Sequence, residues 1–158
     1  MPDYDLAIKG GTVVTAADQY RADIGVRNGK IVEISETISG ADREIDATGL
    51  LVLPGGVDGP VHLSQPPADA TIMADDVESG TRAAAAGGNT TVLPFALQIK
   101  GKSLRACVED YHKEAEGNCY TDTSFHLIVS DPTPQVLGQE LPALVKDGYT
   151  SFKVFMTY

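Results

Sequence analysis

The composition of this chain limits its class before any motif is considered. Its 158 residues, 42% of them hydrophobic, suffice for one ordinary domain, or for a small domain and part of another. The formal net charge of −10 argues against nucleic acid and anionic membranes as partners, because phosphate binding needs a clustered basic face. The sequence shows neither a membrane-spanning apolar run nor a signal-peptide pattern. Cys107 and Cys119 lack zinc or redox spacing, so we expect reduced thiols in a cytoplasmic protein.

The first 53 residues predict short strands joined by tight turns. The segment YDLAIKGGTVVT carries apolar residues on both sides of Gly10-Gly11, where we predict a turn. Asn28-Gly29 predicts a two-residue hairpin, because both residues tolerate positive φ. The segment REIDATGLLVLPGG predicts a further strand, a turn at Gly49 and an apolar run. Strands this close together predict a small antiparallel sheet or a sandwich.

From Pro54 onward the pattern changes to alternating strands and helices. The predicted strands are GVDGPVHL, NTTVLPFAL, TSFHLIVSD and YTSFKVFMTY. Between them lie three predicted helices, the first capped by Asp75 or Asp76, the second by Ser103, and the third interrupted near Pro142. This order predicts a parallel sheet covered by helices. A doubly wound sheet and a (β/α)8 barrel both fit, and a barrel of about 250 residues would stop roughly halfway round.

The three histidines differ in their sequence context. His62 follows a predicted strand, at the sheet end where α/β proteins place their sites, so it is either a metal ligand or a packed or solvated side chain. We expect His112, in a charged helix, to be solvated. His126 lies mid-strand, and we expect it in the core or the interior of a barrel. Asp58, Asp75 and Asp76 could be metal ligands or helix caps, and capping is favoured for Asp75 and Asp76.

Lys153 is unusual because its neighbours in SFKVFM are aromatic and aliphatic. A lysine in an apolar strand is costly unless it is paired or neutral, and a neutral amine is a nucleophile. Such an amine can form a Schiff base or capture CO2 as a carbamate whose two oxygens bridge two metal ions. Strand alternation leaves open the opposite orientation, with Lys153 outward and Phe152 and Val154 inward.

Taken together, these segments resemble the dihydropyrimidinase and D-hydantoinase family of cyclic amidohydrolases over the whole chain. YDLAIKGGTVVTAADQYRADIGVRNGKIVEI looks like the family's N-terminal β-sandwich segment, and IDATGLLVLPGGVDGPVHL looks like its first barrel strand. GGNTTVLPF resembles the second barrel strand, and DGYTSFKVFMTY resembles the strand that carries a carboxylated lysine. The resemblance implies an α/β fold in which residues 1–53 form a β-sandwich segment and residues 54–158 the first half of a metal-dependent (β/α)8 barrel.

The resemblance also implies an activity and a site. Family members hydrolyse the cyclic amide bond of dihydropyrimidines and 5-substituted hydantoins with two divalent metal ions, usually zinc, and are usually tetrameric. His62 would ligate one metal as the second histidine of a His-x-His pair, and Lys153, as carbamate, would bridge both. Tyr158 would hydrogen-bond the substrate carbonyl and steady the oxyanion. Phe155 would line the pocket for the ring substituent.

Two features depart from the family pattern. Pro60 stands where the family has the first histidine of the pair, and proline has no lone pair to give a metal. The chain also ends at Tyr158, before the strands that carry the family's further ligands, so we expect it to be inactive alone and aggregation-prone. Three interpretations stay open: part of a cyclic amidohydrolase with Pro60 as a mutation or sequence error, a non-catalytic dihydropyrimidinase-like scaffold, and an allantoinase- or imidase-type hydrolase.

Overall fold

A computed structural model describes residues 3–66 and 72–156 of the chain. Contacts divide the chain into two units, Met1–Pro54 and Gly55–Tyr158. Among the described residues, the helices are too short or too polar to cross a membrane. Each unit contains one five-stranded sheet.

The sheet of the first unit is mixed. In it β2 pairs antiparallel with both β1 and β3, whereas β4 and β5 both pair parallel with β1. The antiparallel prediction is therefore right for the first three strands and wrong for the last two, because residues 36–43 carry the chain back across the sheet before β4 begins. The strands are β1 (Leu6–Val14), β2 (Gln19–Arg27), β3 (Lys30–Ser35), β4 (Glu44–Asp46) and β5 (Leu51–Val52).

The tight turn at Asn28-Gly29 is confirmed, since both residues have positive φ between β2 and β3. The turn predicted at Gly10-Gly11 is wrong, because β1 runs straight through it with a register shift between Ile8 and Gly11. Gly10 has φ +71°, and its N–H donates to Asp23 Oδ1 at 2.8 Å. The glycines therefore make a β-bulge rather than a turn, since Gly10 provides the left-handed conformation that a bulge requires.

Asp23 is a buried carboxylate that holds this bulge against the loop after β3. Its Oδ1 accepts from Gly10 N–H, and its Oδ2 accepts from Ile38 N–H at 3.0 Å. These two backbone hydrogen bonds lower the pKa of Asp23 below its ordinary value. Because the folded-state pKa is lowered, the stabilisation is present above the unfolded-state pKa and disappears as the pH falls through the folded-state value.

We therefore expect Asp23→Asn to lower the protection of the Gly10 and Ile38 amides at neutral pH, because an uncharged amide offers one oxygen instead of two. The loss is about 2 kcal/mol, typical of hydrogen bonds to a charged group. Hydrogen exchange read by NMR measures it. The matched control is Asp18→Asn, since the Asp18 side chain is exposed and the Thr15 bonds use its backbone carbonyl. Equal protection in both variants would contradict the role of Asp23, as would wild-type protection unchanged below about pH 4.

In the second unit, strands and helices alternate as predicted. The third predicted helix consists of a π-helical segment, Val136–Glu140, followed directly by α3. The ring of Pro142 has no N–H to donate to the Gly138 carbonyl, and the wider π turn accommodates it. The elements are β6 (Gly56–Val61), α1 (Val77–Ala86), β7 (Asn89–Leu97), α2 (Leu104–Ala115), β8 (Asp122–Thr123), β9 (His126–Ile128), α3 (Leu141–Lys146) and β10 (Phe152–Lys153).

The helix caps are those expected from the sequence. Asp76 caps α1 in a capping box with Ser79, whose hydroxyl also donates to Asp75. Ser103 caps α2, and Glu140 Oε2 accepts from Leu104 N–H at 2.7 Å. These assignments favour capping rather than metal ligation for the two aspartates.

The strand order decides between the two architectures left open by the sequence. The order is β6-β7-β9-β10, every pairing is parallel, and β8 extends the β9 path along β7. Each strand therefore lies beside its predecessor, as in a β/α barrel, and the order does not reverse as in a doubly wound sheet. The described part of this unit is a half-barrel of parallel strands and helices.

The two faces of this sheet carry different residues because side chains alternate along each strand. Phe125, Leu127 and Val129 pack with the helices in the buried core, and Phe152 packs against that core from β10. The residues between them, including His126 and Lys153, therefore lie on the opposite face, which is the interior side in a barrel. The core also contains Val77, Ala96, Leu104, Val108, Tyr111, Ala115, Val136 and Leu144.

A buried amide links two loops at the carboxyl end of the sheet. Gln98 directly follows β7 and is 2% exposed. Its Oε1 accepts from the backbone N–H of Ser130 and Asp131, and its Nε2 donates to the Lys102 carbonyl. The Asp131 carboxylate in turn accepts from Gly101 N–H. The loops after β7 and β9 are thus held together by hydrogen bonds to the buried Gln98 amide and by one exposed bond to Asp131.

Candidate functional site

Polar side chains from β6, β9 and β10 meet one ring of β7 on the barrel-interior face. Phe95 of β7 is 4% exposed and pairs with His126 across the ladder. Its ring centroid lies 4.7 Å from that of His62 and 5.1 Å from that of His126. Lys153 Nζ lies 4.2 Å from the same centroid. Two residues predicted for the site, His62 and Lys153, therefore converge on Phe95 from distant parts of the chain.

Lys153 points to this face. The alternative with Lys153 outward and Phe152 and Val154 inward is right for Phe152, which packs against the core, and wrong for Val154, which is 65% exposed. Phe152 does enter the helix-facing core, but the opposite face of the sheet is the one that carries His62 and Phe95. The Lys153 ammonium rests on two aromatic faces, Phe95 and, at 5.0 Å, Phe155. Among the described residues, the salt bridges involve other cations, and the quadrupoles of the two rings attract the Lys153 ammonium.

His62 follows β6 and is exposed. Its Nδ1 lies 2.7 Å from Gln65 Oε1. An amide oxygen can only accept, so Nδ1 is the donor in this contact. In the neutral imidazole that leaves the Nε2 lone pair, the form in which histidine ligates a metal. The sequence prediction of a metal-competent histidine at this strand end is thus compatible with the tautomer that the hydrogen bond selects.

The turn after His62 is fixed against α1. Ser64 has φ 49°, in the left-handed region, and its hydroxyl accepts from Val77 N–H at 3.0 Å. Leu63 is buried, and its Cδ2 lies where a side chain on Gly80 would begin, at 2.3 Å from an ideal Cβ. The helix can therefore approach the His62 segment only because position 80 has no side chain.

Pro60 lies on the same side of β6 as His62, two residues earlier, at a register shift between Asp58 and Pro60. It is exposed and has no backbone N–H to give the ladder. A histidine at this position would place a second imidazole beside the first. Asp58 is exposed on the same strand.

The remaining predicted site residues are placed differently. Phe155 is 42% exposed, and its ring contacts the Lys153 ammonium. Tyr158 lies outside the described residues, so its predicted role stays a prediction. His112 is exposed as expected, but the prediction that water solvates it is incomplete, because its ring packs edge-on against Phe125 and bonds the Tyr149 hydroxyl. Cys107 and Cys119 are free thiols.

His126 is half-buried between Phe95 and β10, which agrees with the interior position expected for it. Burial lowers the pKa of His126, and the charge of Lys153 lowers it further. Its Nδ1 lies 2.6 Å from Ser151 Oγ. Sequence reasoning did not identify Phe95 or Ser151 as part of this cluster, and the strand register is the signal that brings them together.

The donors on this face do not complete a metal site by themselves. His62 Nε2 and a carbamate on Lys153 would supply two ligands, whereas zinc sites use three or four. Within residues 3–66 and 72–156, no group of three histidine, cysteine or carboxylate side chains is arranged to hold a metal ion. Pro60 contributes no donor. Further ligands would have to come from residues beyond this cluster.

We expect Gly80→Ala to destabilise the second unit by about 1 to 3 kcal/mol, because the new Cβ meets Leu63, and such overpacking exceeds the gain in helix propensity. The substitution should also move His62 away from Phe95. The control is Gly138→Ala, where a Cβ meets nothing within 4 Å, and a small stabilisation is expected. Urea denaturation followed by circular dichroism compares the two, and equal midpoints would refute the close approach.

Known proteins similar to this chain are named D-hydantoinase and dihydropyrimidinase. The chain is 47% identical over 153 residues to a D-hydantoinase of Geobacillus stearothermophilus and 45% identical over 157 residues to one of Streptomyces coelicolor, in each case over 96% of the chain. A solved D-hydantoinase structure matches 98% of it with TM-score 0.91 and 44% identity. A dihydropyrimidinase structure from Brevibacillus agri matches 96% with TM-score 0.89 and 42% identity. Over nearly its whole length, this chain is similar to D-hydantoinases and dihydropyrimidinases.

The extent of these matches limits what they transfer. The chain spans about a third of the length of its curated relatives, 32% and 33% for the two named above. No family model matches the chain. The family resemblance inferred from PGGVDGPVHL and SFKVFM is thereby confirmed. The mixed sheet of the first unit and the half-barrel of the second agree with it. The roles of individual residues are not decided by these matches.

Proposed function

We propose that this chain is the N-terminal portion of a metal-dependent cyclic amidohydrolase that hydrolyses dihydropyrimidines or 5-substituted hydantoins. One observation carries the proposal: His62 and Lys153 lie on the same barrel-interior face and contact the same buried ring. An imidazole and a lysine brought together at the carboxyl ends of parallel strands suit a metal-dependent hydrolase better than a structural core. Relatives named D-hydantoinase and dihydropyrimidinase support the substrate class.

Lys153 would act as a carbamate. In its neutral form the Nζ lone pair attacks the carbon of CO2, one C–O π bond becomes the carboxylate, and the nitrogen loses a proton to solvent. The Phe95 and Phe155 rings lie 4.2 and 5.0 Å from Nζ, so they border the place where the carbamate would form. The carbamate then offers two oxygens in place of one nitrogen.

His62 would supply a second ligand through Nε2, since Gln65 keeps the proton on Nδ1. Two divalent metal ions, with zinc as the expected metal, would lower the pKa of a shared water and polarise the substrate carbonyl. Phe155 would line the side of the pocket next to Lys153, and Tyr158 would donate its hydroxyl to the carbonyl oxygen. The expected oligomeric state, a tetramer, and the cytoplasmic location stay predictions.

Pro60 favours a second candidate, a non-catalytic dihydropyrimidinase-like scaffold. A proline beside His62 removes one donor from the family's His-x-His pair, and the described cluster retains two. A chain that kept the fold and lost the reaction would tolerate that change. Retention of both His62 and Lys153 on one face supports the enzyme instead.

A chimaera tests the two candidates. Residues 1–158 replace the matching third of the Geobacillus stearothermophilus D-hydantoinase, with Pro60 retained or changed by Pro60→His. Because Pro60 removes a ligand, we expect Pro60→His to raise bound metal and to increase hydantoin or dihydrouracil turnover about 100-fold or more. Metal analysis and a substrate panel that includes allantoin and cyclic imides measure both quantities. Lys153→Arg, which keeps the charge and cannot form the carbamate, is the inactive control.

Each outcome of the chimaera experiment supports or refutes one of the candidate functions. Turnover in the Pro60→His chimaera, lost again on Lys153→Arg, supports the amidohydrolase. Absence of metal and turnover from the Pro60→His chimaera refutes it and favours the scaffold. Preference for allantoin or a cyclic imide would make that compound class the substrate instead of dihydropyrimidines and hydantoins. Equal activity of the two chimaeras would show that Pro60 does not cost a ligand.

We also expect the 158-residue chain alone to show no turnover, because its described cluster provides two donors where zinc requires at least three. The measurement is hydantoin hydrolysis by the chain with Pro60 retained and Zn²⁺ added. Metal-dependent turnover that Lys153→Arg abolishes would contradict this expectation.

A further inference from the structure

The strand that carries Lys153 is short and ends the order of its sheet. β10 has two residues, Phe152–Lys153, and it pairs with β9. Besides the bonds of the ladder itself, Leu127 N–H donates to the Ser151 carbonyl at 3.1 Å and Val129 N–H to the Lys153 carbonyl at 3.0 Å. A two-residue strand with one neighbouring strand among the described residues has a short ladder, so a further side-chain contact helps to fix the lysine that it carries.

His126 supplies such a contact. It begins β9, and its Nδ1 lies 2.6 Å from Ser151 Oγ, across the ladder and two residues before Lys153. The other side of its ring meets Phe95 edge-to-face, at 5.1 Å and 65°. One imidazole therefore joins the ring on which Lys153 rests to the strand from which Lys153 projects.

The register makes this arrangement specific. Phe95 pairs with His126, and Lys153 pairs with Ile128. Ser151 therefore lies in the same row as Phe95 and His126, and Lys153 lies one row nearer the carboxyl end on the same face. His126 is thus behind the lysine rather than beside its amine, which suits a support and not a ligand.

We propose that His126 is a positioning residue for Lys153: its hydrogen bond to Ser151 and its contact with Phe95 hold β10 so that Nζ lies over the Phe95 ring. The proposal rests on the proposed function only for the role of Lys153. The placement of Nζ is a property of the chain itself, and it can be measured without metal or substrate.

The experiment is NMR of the 158-residue chain with isotopically labelled lysine. Protons on the Lys153 Cε lie near the face of an aromatic ring, so their signals should be shifted upfield from those of exposed lysines such as Lys113. Lys153→Arg assigns the signal by removing it. We expect His126→Phe, which keeps an aromatic ring and loses the hydrogen bond, and Ser151→Ala, which loses the partner, each to reduce the upfield shift by at least half.

His126→Asn is the conservative rescue, because its amide can reach Ser151 Oγ from the place of Nδ1, and it should retain most of the shift. Retention of the full shift in both His126→Phe and Ser151→Ala overturns the proposal, as does a wild-type signal at the position of exposed lysines. If His126→Phe does not fold, Ser151→Ala against His126→Asn still decides, since both are small changes.

The same variants in the Pro60→His chimaera separate this inference from the proposed function. We expect His126→Phe to lower kcat about tenfold with little change in KM, the size typical of residues that orient a ligand, and His126→Asn to restore it. An inactive parent chimaera overturns the proposed function and leaves the NMR result to decide positioning. A His126→Phe chimaera with unchanged kcat overturns the positioning role.

Discussion

The register of four parallel strands is the constraint on which the candidate site depends. Side chains alternate along each strand, so a shift of one residue in β10 would exchange Phe152 and Lys153 between the helix-facing core and the interior face. The core would then receive an ammonium group, which is costly to bury without an anion. Packing of Phe152 and Leu127 against the helices therefore also determines where the amine of Lys153 lies.

Phe95 is the residue that the side chains brought together by this register all contact. It is nearly fully buried, so its ring has a fixed place, and three chemically active side chains meet it from β6, β9 and β10. The ring supplies no donor or acceptor of its own beyond its electron-rich face. It is a common contact for a histidine and a lysine from distant parts of the chain, so a small shift of one strand changes the distance between them.

Much of this could be predicted from the sequence because the signals are local. Turn residues such as Asn28-Gly29 and caps such as Asp76 and Ser103 act through their own backbone neighbours, and they were predicted correctly. The bulge at Gly10 was not, because its cause is the carboxylate of Asp23 on another strand. Phe95 and Ser151 were missed for the same reason, since a strand register is a long-range property. That Pro60 cannot ligate a metal follows from the chemistry of proline and could be deduced without a structure.

The buried amide of Gln98 has a consequence for how this fold can be altered. It bonds the loops after β7 and β9 at once, through Lys102 on one side and Ser130 and Asp131 on the other. In β/α barrels such loops carry substrate selectivity. Neither loop can therefore be exchanged alone. Grafting one from a homologue without the other would leave the buried Gln98 amide and two backbone N–H groups without their hydrogen-bond partners. Selection, in nature or in the laboratory, would have to exchange the two loops as a pair.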